Sequence, residues 1–171
     1  MVKKGDYFLY FNPNKKISNL IVSIVELLTL SGISQFSHSG IIIDDDGTTF
    51  EAKHRIMKLN IYEDYINKME DGYKIMIVRN KEMNDSLFNQ GWNAIKEYEG
   101  KLYPYHRLVF FLFYPLPKVM HYVDWGVCSE LTSKFYYSCN LLDFWSGVTP
   151  GDLEMIGKYW KNWNIIYEKG V

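Results

Sequence analysis

Phe36-Ser37-His38-Ser39-Gly40-Ile41-Ile42-Ile43-Asp44-Asp45-Asp46-Gly47-Thr48-Thr49-Phe50-Glu51-Ala52 is the stretch on which the reading of this chain turns. Asp-Gly between two short apolar-rich runs is a strong hairpin signal, so Ser39–Ile43 and Thr48–Ala52 are predicted antiparallel strands around a turn at 44–47. Pairing then brings residue 38 opposite residues 51–53, within a register of about one or two residues. In that arrangement the Glu51 carboxylate reaches the His38 ring, fixing its tautomer and stabilising imidazolium. A one-residue slip would turn Glu51 to the other face of the sheet. The competing reading is a strand-end histidine bonded to backbone beside a solvated glutamate.

Working outward, Tyr7-Phe8-Leu9-Tyr10-Phe11 is a continuous apolar run that predicts a buried strand, opened by Gly5-Asp6 and closed by Asn12-Pro13-Asn14. Ile17, Leu20, Ile21, Ile24, Val25, Leu27 and Leu28 recur at helical spacing, with Ser18 as a candidate N-cap and Gly32 as a stop. Tyr73–Arg79 reads as another buried strand. Asp85–Glu99 reads as a helix with Leu87, Phe88, Gly91, Trp92, Ile95 and Tyr98 on one face and Gly100 at C′. Cys128–Cys139 predicts a helix and Asn164–Tyr167 a late strand, while Leu102–Tyr122 is aromatic-rich without a clear period. Strands and helices without regular βαβ alternation predict an α+β fold. With no repeat, low-complexity tract or linker, one domain is expected over residues 1–171.

Composition narrows the function classes. The chain carries 19 Lys+Arg against 20 Asp+Glu, a formal net charge of −1. That balance lacks the basic footprint of a nucleic-acid binder, so no nucleic-acid partner is expected. Two cysteines cannot build a disulfide scaffold, and neither CxxC nor HExxH occurs, so no metal site is expected. Met1-Val2-Lys3-Lys4 runs straight into Gly5-Asp6 with no apolar signal region, and Ile17–Ile33 and Val109–Tyr114 fall short of a membrane span. A cytoplasmic protein without an integral membrane segment is the expectation. Aromatic residues make up 17% of the chain and call for a large core or a cleft to line.

Cys128 follows Gly126-Val127 and opens a helix-compatible stretch, which places its thiol at a helix N-terminus. There the unpaired N–H groups and the helix dipole favour thiolate and offer donors to an oxyanion. On position alone, a nucleophile and a small buried hydrophobe fit equally well. Cys139, 11 residues on, lies about 16 Å along a continuous helix, too far for a disulfide and at the end where the dipole opposes a thiolate. It reads as structural. A thiol nucleophile needs an oriented imidazole, and His38 with Glu51 is the best pair. His54, flanked by Lys53 and Arg55, reads as exposed; His106 and His121 have no identifiable partner in sequence. Tyr7 is an additional donor candidate, with core packing the better reading.

The order His38, Glu51, Cys128, in the strings Phe36-Ser37-His38-Ser39-Gly40-Ile41, Phe50-Glu51-Ala52 and Cys128-Ser129-Glu130-Leu131, resembles the circularly permuted papain-like proteins. These are the YiiX-like branch of the NlpC superfamily, related to lecithin retinol acyltransferase, in which the histidine-bearing hairpin precedes the nucleophile. Matching blocks run from about Gly5 to Asp152, the weaker ones being Gly5-Asp6 and Thr149-Pro150-Gly151-Asp152. The resemblance implies a mainly antiparallel sheet packed against helices, with Cys128 as nucleophile, His38 as base and Glu51 as orienting residue. A Tyr-Asp-Tyr string often precedes the nucleophile in that family; here it is Tyr103-Pro104-Tyr105, without the carboxylate. Tyr103, Tyr105 and Trp125 are candidates to wall a substrate cleft.

The implied chemistry is acyl transfer through a thioester, with no metal or organic cofactor. A small-molecule, peptide or lipid substrate fits it. Peptide-type amide hydrolysis comes first, a lipid acyltransferase or esterase second, with Leu108–Tyr114 as a candidate acyl groove. The rival from another class is a binding module that keeps the fold without chemistry.

Overall fold

A computed structural model gives the fold, described for residues 1–16, 19, 20, 23, 24, 27, 34–104 and 127–171. Six strands form one sheet: β1 (Tyr7–Phe11), β2 (His38–Ile42), β3 (Thr48–Ala52), β4 (Ile56–Asn60), β5 (Lys74–Asn80) and β6 (Trp163–Lys169). Their order is β4-β3-β2-β1-β5-β6, and every neighbouring pair is antiparallel. Among the described residues, the sheet is accompanied by helices α1 (Ile61–Asp64), α2 (Asp85–Ile95), α3 (Cys128–Ser138) and α4 (Pro150–Tyr159), besides the helical residues near 16–27. The expected α+β class is what the chain adopts.

Strand alternation divides the core. Tyr7 and Leu9 of β1, Ile41 of β2, Phe50 of β3 and Met76 and Val78 of β5 pack on one face with Leu131, Phe135, Leu153 and Ile156 from the helices. Phe8, Tyr10, Ile42, Ile75 and Ile77 point the other way, where Ile61 of α1 and Tyr65 just beyond it cover them. Much of the aromatic excess is accounted for on the helix side. The rings of Tyr7, Tyr136 and Trp163 pack edge to face with centroids 4.8–5.8 Å apart. Two hydroxyls pin the layers: Tyr136 donates to the Gly5 carbonyl at 2.7 Å and Tyr7 to the Leu153 carbonyl at 2.6 Å. Tyr7 is therefore a core residue, with its donor already used.

Each helix start has a local cause. Asn84 caps α2, its side chain accepting from the N–H groups of Ser86 and Leu87. Thr149 and Asp152 cap α4 reciprocally, with Pro150 at the first helical position. In α3 the job falls to Glu130, whose buried carboxylate accepts from Val127 N–H at 3.1 Å and from Gly147 N–H at 2.7 Å. Several sequence boundaries move. The helix predicted over Asp85–Glu99 ends at Ile95 and tightens into a 3₁₀ turn at Lys96–Tyr98, before Gly100 at φ 81°. The Tyr73–Arg79 and Asn164–Tyr167 strands become β5 and the longer β6, which pair with each other. In the predicted helix over Ile17–Leu28, residues 19, 20, 23, 24 and 27 are helical, as is 16, and the rest of it lies outside the described residues. No helix of the described residues is long and apolar enough to cross a membrane.

Candidate active site

The hairpin register decides which side chains meet. Gly40 of β2 pairs with Glu51 of β3, so His38, two residues earlier, shares a sheet face with Glu51 on the diagonal. Gly40 is the residue that makes room: a Cβ there would come within 2.6 Å of the Phe8 ring and 2.9 Å of the Glu51 Cβ. The Phe8 ring covers the glycine and lies 6.1 Å, edge-on, from the His38 ring.

His38 Nε2 is 2.7 Å from Glu51 Oε2. A neutral His38 that donates Nε2–H to the carboxylate keeps its lone pair on Nδ1, the nitrogen left for the thiol. Cys128, the first residue of α3, is buried, and its thiol and the His38 ring act on each other electrostatically. The backbone of Ser39 and Ser129 acts on the same thiol and favours its thiolate form. Burial works against charging either group. For His38 it disfavours imidazolium, but the hydrogen bonds and charges of Cys128 and Glu51 outweigh it and push the ring up to about 9. For Cys128 burial opposes thiolate, yet the His38 hydrogen bond and charge and the two backbone donors bring the thiol below its ordinary value. Both shifts run toward the charged forms of the two groups.

Glu51 is fully buried and richly supplied with donors. Thr49 Oγ1 donates to Oε1 at 2.7 Å, and the Tyr65 hydroxyl donates to Oε2. Lys53 Nζ lies 3.7 Å from the same oxygen. Burial would push this carboxyl up; the His38 hydrogen bond and charge, the Lys53 charge and the Tyr65 hydroxyl together hold it below the ordinary range. On the helix side, Ser39 Oγ and Thr132 Oγ1 are 3.2 Å apart and Thr132 donates to the Cys128 carbonyl, which fastens the start of α3 to β2.

The remaining sequence candidates fall as follows. Tyr103 is half-buried against the helix-side core, its N–H donating to the His54 carbonyl at 3.0 Å, which ties it to the turn after β3. Tyr105 and Trp125 lie outside the described residues, as do His106, His121 and the Leu108–Tyr114 run. His54 is exposed. Cys139 is buried at the C-cap of α3; burial raises its thiol to about 11, and its sulfur donates to the Leu87 and Phe135 carbonyls. Sequence reasoning missed Tyr65, Lys53 and Thr49 around Glu51. The alternation Thr49-Phe50-Glu51 carries a signal for Thr49, whereas nothing local marks Tyr65. A cleft of about 410 Å³ is lined by Tyr137, Asp143, Phe144, Trp145 and Asp152 among others, and neither Cys128 nor His38 borders it.

This is a mixed α+β protein with a cysteine at a helix N-terminus facing a histidine on an antiparallel sheet. No family model matches the sequence, and no curated protein matches it. Among solved structures, the crystal structure of the metalloprotein YiiX from Escherichia coli O157:H7 is similar in fold, with a TM-score of 0.55 over 94% of this chain and 83% of that one. Sequence identity is 19%, so the likeness concerns the fold. Among the described residues, no group of three or more His, Cys, Asp or Glu side chains is arranged to hold a metal ion.

Proposed function

We propose that the protein is a cysteine-nucleophile enzyme that cleaves a peptide-type amide through a thioester. The observation that carries this is the buried Cys128–His38 pair at the start of α3, with Glu51 2.7 Å from the far ring nitrogen. His38 accepts the thiol proton, and the thiolate attacks the substrate carbonyl carbon, sending the π electrons to oxygen. N–H groups of the first turn of α3, which have no carbonyl one turn earlier, accept that negative charge. As the tetrahedral species collapses, the C–N bond breaks and the imidazolium proton goes to the leaving amine. Water then loses a proton to His38 and attacks the thioester, and the thiolate leaves with release of the acid. Throughout, Glu51 keeps the ring oriented and offsets its positive charge. The choice of an amide rests on the resemblance of the His38, Glu51 and Cys128 strings to the NlpC superfamily.

Alkylation tests the chemistry. An unperturbed thiol with a pKa near 8.5 is only about 0.3% thiolate at pH 6. Cys128 should react with iodoacetamide at pH 6 at least about tenfold faster than a model thiol, even after allowing for the lower nucleophilicity of a stabilised thiolate. His38→Ala should abolish the excess. Equal rates in the two proteins would remove the thiolate–imidazole pair and leave the binding-module reading. Mass spectrometry of Cys128 after mixing with peptide and phospholipid libraries then separates substrates: a peptidyl thioester supports the amide reading, and a fatty-acyl adduct overturns it.

A further inference from the structure

We propose that Tyr65 is a positioning residue of this site, its hydroxyl keeping Glu51 ionised so that His38 can hold its proton opposite the thiolate; this rests on the functional reading above. Tyr65 follows the single turn α1, on the sheet face away from α3, and is 2% exposed. Its hydroxyl shares Glu51 Oε2 with His38 Nε2. Its ring is near parallel to the His38 ring, 12° between planes with centroids 6.4 Å apart. Phe8 at 4.9 Å and Tyr10 at 4.6 Å hold that ring from β1, and Lys53 Nζ lies 4.7 Å over its face. A tyrosine needed only to fill space would not require an ionised carboxylate at the end of its hydroxyl. Here the ring packing fixes where the hydroxyl points.

Among the described residues, the charged and titratable groups around the pair are few. His38 comes from β2, with Cys128 behind it on α3, and Lys53 comes from the end of β3. Tyr10 of β1 and Asp64 of α1 act on Tyr65, and Lys15 on Lys53. Tyr65 supplies a donor without adding a charge. That distinguishes it from Lys53, which is 28% exposed at its side chain and whose field solvent screens. Burial and the Glu51 charge together push the Tyr65 phenol far above its ordinary value, so it stays a donor at every working pH.

The test is the pH profile of Cys128 alkylation in the full chain. Losing one hydrogen bond to a buried carboxylate should let Glu51 take a proton at higher pH, and the imidazolium would then lose its counter-charge. In Tyr65→Phe the acid limb should move up by about one to two pH units, and the melting temperature at neutral pH should fall by no more than that same shift implies. In a Glu51→Gln background the same substitution should move the limb no further. An unmoved limb in Tyr65→Phe, with the wild-type protein still alkylated fast at pH 6, overturns the role of Tyr65 alone. A wild-type protein without the fast phase overturns the parent reading instead. Should Tyr65→Phe fold poorly, the unsubstituted protein supplies a second readout. Its Tyr65 hydroxyl proton should exchange slowly and resonate downfield, and should move upfield in Glu51→Gln. A hydroxyl proton in free exchange overturns the proposal.

Discussion

At the residue scale, the chemistry proposed for Cys128 would depend on a carboxylate it never touches. Glu51 reads its surroundings through His38, and its own ionisation is held by Thr49, Tyr65 and Lys53. Its folded-state value lies below the ordinary 4.5, so the stabilisation it contributes is complete above about pH 4.5 and is lost as the pH falls through the lowered folded value. Glu51→Gln should therefore flatten the dependence of melting temperature on pH in the acid range, measured by calorimetry from pH 3 to 6. It should also slow alkylation at pH 6, because an amide cannot offset imidazolium. Glu130 is a different buried acid, with a mechanical task. Glu130→Ala strips partners from the Val127 and Gly147 N–H groups, at about 1–3 kcal/mol for each one left unsatisfied. Denaturant unfolding should show the loss.

At the element scale, the β2–β3 hairpin holds two of the three site residues on one face, and Gly40 is the position that permits it. Overpacking of a filled site costs about 1–3 kcal/mol. Gly40→Ala should lower the melting temperature by several degrees, at about 2–4 °C per kcal/mol, and should displace Glu51 from His38. A loss of fast alkylation larger than the stability change explains is the signature. This hairpin was legible in sequence because everything it needs is local: an Asp-Gly turn, apolar runs on both sides, and a separation of 13 positions from His38 to Glu51. The α3 start was legible for the same reason, from Gly126-Val127-Cys128. Other elements left weaker traces. The edge strand β4 shows only one buried residue, Ile56, so its pattern of Ile56-Met57-Lys58-Leu59-Asn60 resembles a loop. Thr149-Pro150-Gly151-Asp152 looked like a minor matching block, yet Thr149, Asp152 and a first-turn proline are together a capping signature for α4. Glu130 carries no local mark of its task, because one of its two partners lies on a loop 17 residues away.

At the scale of the whole molecule, the helix layer meets the sheet through close approaches as well as through hydroxyls. A Cβ at Gly91 of α2 would lie 2.7 Å from the Cys139 sulfur and 2.8 Å from the Phe135 ring, so Gly91→Ala should part α2 from α3 and lower stability by about 1–3 kcal/mol. Long-range placement of this kind leaves no local pattern, which is why Tyr65 was also invisible in the sequence. The sheet itself divides the labour. Cys128 belongs to the helix-side core, whereas Glu51 and Tyr65 occupy the opposite face, and His38 at the first position of β2 touches both. Tyr103 packs on the helix side with Cys128. Two dials thus sit on opposite walls of one partition. On the proposed function, changes behind the sheet would retune the acidity of the site and changes in front would reshape what reaches the sulfur, so selection or a protein engineer could turn either dial while leaving the other where it was.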